Sequence, residues 1–174
     1  VCAIVRNGER VDSISAGEQG EVVLNVTPFY AEMGGEVGDT GTITADGVEL
    51  QVTDTKAPEK GLVCHVVTVA SGVLTVGMAV SAQVDAKRRA CIARNHTCTH
   101  ILHAALRQVL GAHVKQAGSY VGPDRLRFDF THFESVTPEQ LKQVEELANS
   151  VIMSATATNI FETSLAKARE EGVT

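Results

Sequence analysis

Residues 85–111 read DAKRRACIARNHTCTHILHAALRQVLG, and how this stretch folds decides the organisation of the chain around it. Ile92, Thr99, Leu102, Leu106 and Val109 recur at intervals of three, four and seven, the spacing of one helix face, and Gly111 stands where a helix would stop. The pattern predicts one long helix from about Asp85 to Leu110, with histidines on its inward side. Upstream the composition is different. The first 85 residues hold most of the glycine, and residues 21–26, 42–55, 62–69 and 80–84 are short runs rich in Val and Thr, which read as strands. Asp46-Gly47 separates TITA from VELQVTD, a two-residue hairpin signal expected to place both turn residues at positive φ. A small antiparallel β-barrel follows from these strands.

Downstream, residues 113–121 and 125–130 alternate around Gly122-Pro123-Asp124 and predict a second hairpin. Thr137-Pro138-Glu139-Gln140 combines a capping-box Thr and Gln with Pro at the first helical position. Leu141, Val144, Leu147, Ala148, Val151, Ile152 and Ala155 continue it as an amphipathic helix expected to lie against the sheet. The fold class is therefore α+β, with a β-rich unit over residues 1–85 and an α+β unit over residues 86–174.

At 174 residues and 44% hydrophobic, the chain can bury a substantial core. No apolar run approaches bilayer length, and there is neither an initiator Met nor a leader-like segment, so a membrane role is not expected. Cys2, Cys64, Cys91 and Cys98 form neither a CxxC knuckle nor a secreted disulfide framework, which favours a reducing cytoplasm. A net charge of −6 argues against an independent nucleic-acid-binding module. Lys87, Arg88, Arg89 and Arg94 are the one basic cluster, read either as a solvated helix face or as a local RNA contact.

In His96-Thr97-Cys98-Thr99-His100 the two histidines are four apart, so at roughly 100° per residue they leave one helix face one above the other. Such a pair can grip a metal, and zinc favours imidazole within a set of four ligands; the alternative is two polar groups on a half-buried helix. Cys98 lies roughly 200° around the helix from His96 and should point elsewhere. The zincin motif is excluded because Thr97 occupies the glutamate position. Gln116 and Ser119 would face opposite sides of a regular strand, but a bulge near Gly118 would bring them together, where they can hydrogen-bond a small polar substrate. Residues 27–41, TPFYAEMGGEVGDTG, form a backbone-dominated loop whose glycines serve either turns or the close approach of another backbone or a ligand. It matches no phosphate-binding glycine motif.

Three stretches, TPFYAEMGGEVGDTG (27–41), RNHTCTHILHAALRQVLGAHVKQAGS (94–119) and RLRFDFTHF (125–133), together and in this order resemble the alanyl-tRNA synthetases, with weaker similarity over most of the rest. The resemblance implies a β-barrel followed by the first part of an editing domain of the threonyl/alanyl-tRNA synthetase type. It implies that the parent enzyme joins alanine to the 3′ end of its tRNA with ATP and Mg2+ in a separate aminoacylation domain, and forms homo-oligomers through a C-terminal region. It also implies a zinc-dependent site that hydrolyses mischarged seryl- or glycyl-tRNA. In that site His96 and His100 would be two of four zinc ligands, the others coming from a downstream Cys-x-x-x-His element. Thr99, Gln116 and Ser119 would line the pocket, and Gly34, Gly35 and Gly38 would belong to the substrate loop. With half the ligand set, the residues present should bind zinc weakly and be inactive alone. This sequence departs from the usual pattern at Cys98, Met33 and Glu36, the last a candidate to alter a loop contact near the terminal adenosine.

A pocket built for alanine cannot strongly reject glycine, and one that tolerates an added hydroxyl admits serine, so a second site that reads the seryl hydroxyl is chemically reasonable. Thr99 and Gln116 are the candidates for that reading. Two rivals stand beside this expectation. A free-standing deacylase shares the glycine loop and the HxxxH helix, and a non-catalytic RNA-binding or interaction module would use the histidines only as filling.

Overall fold

The structure is a computed structural model that describes residues 1–157 and 162–171. Nine strands precede the long helix: β1 (Ala3–Arg6), β2 (Glu9–Val11), β3 (Ser13–Ser15), β4 (Gln19–Val23), β5 (Gly41–Ala45), β6 (Val48–Glu59), β7 (Leu62–Ser71), β8 (Val73–Thr75) and β9 (Ser81–Val84). Seven form one antiparallel sheet in the order β2-β1-β4-β7-β6-β5-β9, and β3 pairs with β8 in a separate ribbon. In the first part of β6, Val48, Leu50 and Val52 are buried while Glu49, Gln51 and Thr53 are exposed, the period-2 alternation of a sheet with one wet face. Sheet and ribbon share one core: Ile14 of β3 and Leu74 of β8 pack with Ile4, Val22, Ile43, Leu50 and Val67.

Four of these strands, β1, β2, β3 and β8, are too short to stand out by alternation. The turn between β1 and β2 carried the signal, since Asn7 and Gly8 are both at positive φ, 53° and 82°, as a tight hairpin requires. The Asp46-Gly47 turn does join β5 to β6, but only Gly47 (φ 69°) is left-handed, so the expectation of two positive φ values is corrected.

α1 spans Ala86–Leu110; the Asp85 carboxylate caps it by accepting from the Arg88 N–H at 2.9 Å, and the Gly111 N–H closes it on the Arg107 carbonyl. β10 (Gln116–Val121) and β11 (Leu126–Phe130) form the second hairpin. α2 (Pro138–Met153) begins with the full capping box, Thr137 and Gln140 each bonding the other's backbone. A short α3 (Leu165–Glu170) follows.

α2 does not lie on a sheet. Its Val144, Leu147 and Ala148 pack on α1, which is itself sandwiched between α2 and the hairpin residues Phe128 and Phe130. The reason lies in α1, which carries apolar residues on two faces: Ala105 lines the groove toward Leu147 and Val151, while Leu102 and Leu106 lie roughly 60–100° further round. Leu141, Val151, Ile152 and Met153 of α2 remain exposed, and the helix ends before Ala155, which takes a positive φ of 49°. Among the described residues this second core has four buried members against eleven in the first, and the loop that crosses from the strands adds further contacts to α1.

Candidate functional site

That loop is residues 27–41. At its start the buried His65 donates from Nδ1 to the Val22 carbonyl (2.8 Å) and accepts from the Thr27 hydroxyl at Nε2 (2.7 Å), with Phe29 edge-on to its ring. Burial holds the His65 pKa below its usual value, with the bond to Val22 opposing, which favours the neutral ring. At the loop's tip Met33 and Glu36 exchange backbone hydrogen bonds across Gly34 (φ 62°) and Gly35 (φ 89°), a two-residue turn in which both central residues are left-handed. The tip then pairs with β10: Val121 donates to the Gly35 carbonyl (2.8 Å) and Val37 to the Val121 carbonyl (3.1 Å). A side chain on Gly35 would run into the Ser119 carbonyl, and one on Gly38 into the Thr55 carbonyl. At these two positions the close approach is made by the protein's own backbone. Only Gly34 faces open space, and its carbonyl accepts from the Ser119 hydroxyl at 3.1 Å.

The loop's far end is locked to α1. Asp39, 1% exposed, receives Arg89 through both carboxylate oxygens and also accepts from the Tyr30 N–H at 2.8 Å. Arg88 donates to the Gly38 carbonyl at 2.8 Å, and the Arg89 guanidinium lies over the Tyr30 ring. Burial, and secondarily the nearby Glu36, raise the Tyr30 pKa, while Arg89 opposes them. Arg88 and Arg89 of the basic cluster are thus half-buried and engaged with the loop, whereas Lys87 and Arg94 are exposed, so the reading of a solvated face holds for those two and is corrected for Arg88 and Arg89.

On α1, His96 and His100 lie one turn apart with ring centroids separated by 5.1 Å. Both are exposed at the helix rim and do not point into the core as the sequence pattern implied. The buried stripe runs through Ile92, Thr99 and Leu106, and positions 96 and 100 lie roughly 60° and 100° from Thr99 around the helix. Two imidazoles sharing a tetrahedral zinc with bonds of about 2.0–2.1 Å would have centroids about 5 Å apart, and the separation of this pair matches that value. Burial, followed by the neighbouring His96 and His103, lowers the His100 pKa and favours the neutral form that binds metals. Among the described residues no cluster of three or more His, Cys, Asp or Glu is arranged to hold a metal. Cys98 turns to the opposite groove with Ile101, Val151 and Ile152.

The hairpin packs on the neighbouring face of α1, where His103 lies against Phe128. Its register shifts between Gln116 and Gly118, so Gln116 pairs with Phe130 and Ser119 with Phe128. Phe128 and Phe130 are two apart on β11, and cross-strand partners share a face, so the bulge brings Gln116 and Ser119 onto the side that meets α1. Thr99 is buried beneath the rim and donates to the Asn95 carbonyl (2.9 Å), which leaves its oxygen lone pairs as its remaining capacity. Asn95 in turn donates to the Gly122 carbonyl (2.8 Å) and ties α1 to the hairpin turn. Two further participants are Asp39, which the sequence reading does not single out, and Glu36, which it names only for a loop contact near the substrate. Asp39 anchors the loop, and Glu36, 8% exposed, contacts His96 through its Oε2 and the ring Nδ1. A lone acidic residue in a glycine loop carries no periodic signal that would reveal a partner sixty positions away.

Residues 1–88 match the family model described as tRNA synthetases class II (A). The chain is 51% identical over 172 residues, 99% of its length, to the alanine–tRNA ligase of Pelotomaculum thermopropionicum, and 50% identical over 174 residues to that of Acetivibrio thermocellus. It is 48% identical over 172 residues to the alanine–tRNA ligase of Nitrobacter winogradskyi. The chain spans about a fifth of the length of these relatives (20%, 20% and 19%).

Proposed function

Because the chain belongs to the alanyl-tRNA synthetase family of class II tRNA synthetases, we propose that it is part of a cytoplasmic alanine–tRNA ligase and contributes to hydrolytic removal of serine or glycine from mischarged tRNA. On this reading the full-length protein takes alanine, ATP and tRNA. Residues 1–85 act as a β-barrel that carries the glycine loop, and residues 86–174 form the first part of an editing domain. His96 and His100 hold a zinc ion together with ligands from elsewhere in the full-length protein. When bound, zinc supplies Lewis-acid polarisation or orientation of the reacting ester or water.

The residues of this chain bind and discriminate. Gln116, exposed on the α1-facing side of the hairpin, offers an amide donor and acceptor to a seryl hydroxyl. The Thr99 oxygen can accept a second bond. An alanyl group would leave those polar atoms unpaired, which disfavours its binding at this site. Ser119, bonded to Gly34, keeps the glycine loop against β10 and so holds the loop beside the pocket. Gly34, with open space where a side chain would sit, is the loop position nearest to a ligand role, flanked by Gly35 and Gly38, which the backbone contacts require.

The observation that supports this reading is that one helix, α1, carries the paired imidazoles and packs against the bulged hairpin, with His96 linked to β10 through Glu36, which bridges to Val121. Deacylation of seryl-tRNA by the full-length protein tests it. The double substitution Thr99→Ala with Gln116→Ala is expected to abolish most of that hydrolysis while alanylation persists, and an unchanged deacylation rate would defeat the assignment.

A further inference from the structure

Glu36 is 8% exposed, it sits at the end of the Gly34-Gly35 turn, and its carboxylate meets Nδ1 of His96. A buried carboxylate requires a partner, and the only ring atom it engages here is Nδ1. A neutral imidazole carries one N–H, and an acceptor at Nδ1 draws the proton to that nitrogen and leaves Nε2 as the lone-pair donor. The Glu36 backbone is held in place on both sides. It is bonded to Met33 on one side, the adjacent Val37 N–H is bonded to Val121, and Gly35 on the other side accepts from Val121.

We infer that Glu36 is a positioning residue for His96, an arm reaching from the strand-rich half that fixes the tautomer and aim of an imidazole on the helix so that its Nε2 is the nitrogen offered to a metal. The inference rests on the zinc reading above and extends it, since it makes metal affinity a property of the loop as well as of the ligands. Carboxylates hydrogen-bonded to metal-binding histidines commonly change metal affinity by about 10- to 100-fold when removed. It also assigns a purpose to the turn, because Gly35 lets the loop approach Ser119 closely enough for the Glu36 side chain to reach the helix.

The test is zinc affinity of the full-length protein, measured by competition with a chromophoric chelator, together with the absorption spectrum of the cobalt-substituted form. Glu36→Met and Glu36→Ala, each checked for an unchanged melting temperature, are expected to bind zinc about 10- to 100-fold more weakly and to shift the cobalt bands. Glu36→Gln, whose amide oxygen can accept the same N–H, is expected to recover most of the affinity. Wild-type affinity in both the Met and Ala variants, with zinc still lost in His96→Ala, would overturn the role of Glu36 and leave the zinc reading standing. Affinity in Glu36→Gln no better than in Glu36→Met would overturn the tautomer account. Zinc retained in His96→Ala and His100→Ala, or no zinc bound by the wild type, would remove both readings together.

Discussion

Asp39 and Glu36 are three residues apart in one loop, and both reach across to α1, yet they make different kinds of contact. Asp39 is fully enclosed and meets a permanently charged guanidinium at both oxygens while a backbone N–H completes its bonding. Glu36 meets an imidazole that is itself about half exposed, and the contact uses a single oxygen. The first arrangement is a lock, because arginine stays charged at every accessible pH and its planar fork matches a carboxylate. The second holds a side chain whose other nitrogen remains available. A loop can therefore be fastened at one carboxylate so that the other is free to orient chemistry.

The largest effect that can test this contrast comes from the lock. Asp39→Ala is expected to destabilise the chain by about 3 kcal/mol in urea unfolding, at the low end for a broken buried pair because Arg89 is 37% exposed and can partly rehydrate. A loss equal to that of Glu36→Gln would erase the distinction. Next comes the tip of the loop. Gly35→Ala should cost about 2–3 kcal/mol, combining a left-handed backbone with a collision against the Ser119 carbonyl, whereas Gly47→Ala, left-handed but facing open space, should cost about 1 kcal/mol. Similar losses in the two would show that the docking of the loop on β10 is loose. Arg89→Lys should lose about 1.5 kcal/mol, since a single ammonium cannot reproduce the two-pronged contact. Glu36→Gln should change stability by less than about 1 kcal/mol, consistent with a partner that is already half hydrated.

The smallest effect at neutral pH concerns the loop's other anchor. The folded-state pKa of His65 lies below its ordinary value of 6.5, so at lower pH the unfolded chain binds a proton that the folded chain does not. Its contribution is intact above about pH 6.5 and is lost as pH falls toward the folded pKa. Urea midpoints measured from pH 7.5 downward should therefore fall more steeply below pH 6.5 in the parent than in His65→Gln. Parallel curves would mean that burial does not lower the His65 pKa in the folded chain.

Much of the fold could be read locally. The long helix from its Asp85 cap to Gly111, the capping box at Thr137 and the hairpin around Gly122 depend on contacts between residues a few positions apart, so composition and spacing reveal them. The bulge beside Gly118 was likewise foreseeable, because only an extra residue lets Gln116 and Ser119 share a face. Three-residue strands such as β3 and β8 were not, since they are held by each other and by a shared core.

By itself the sequence determined which residues can carry chemistry: two imidazoles on one side of a helix, a glycine-rich turn, a hairpin with polar residues, and membership of a tRNA synthetase family. Tertiary structure alone decided what each of them faces. It placed Arg88 and Arg89 against the loop, moved His96 and His100 to the helix rim, turned α2 onto α1 and brought Glu36 to His96. Helical and strand periods follow from backbone geometry within a few residues, whereas a partner fifty or sixty positions away is chosen by packing and desolvation, to which no local pattern is sensitive.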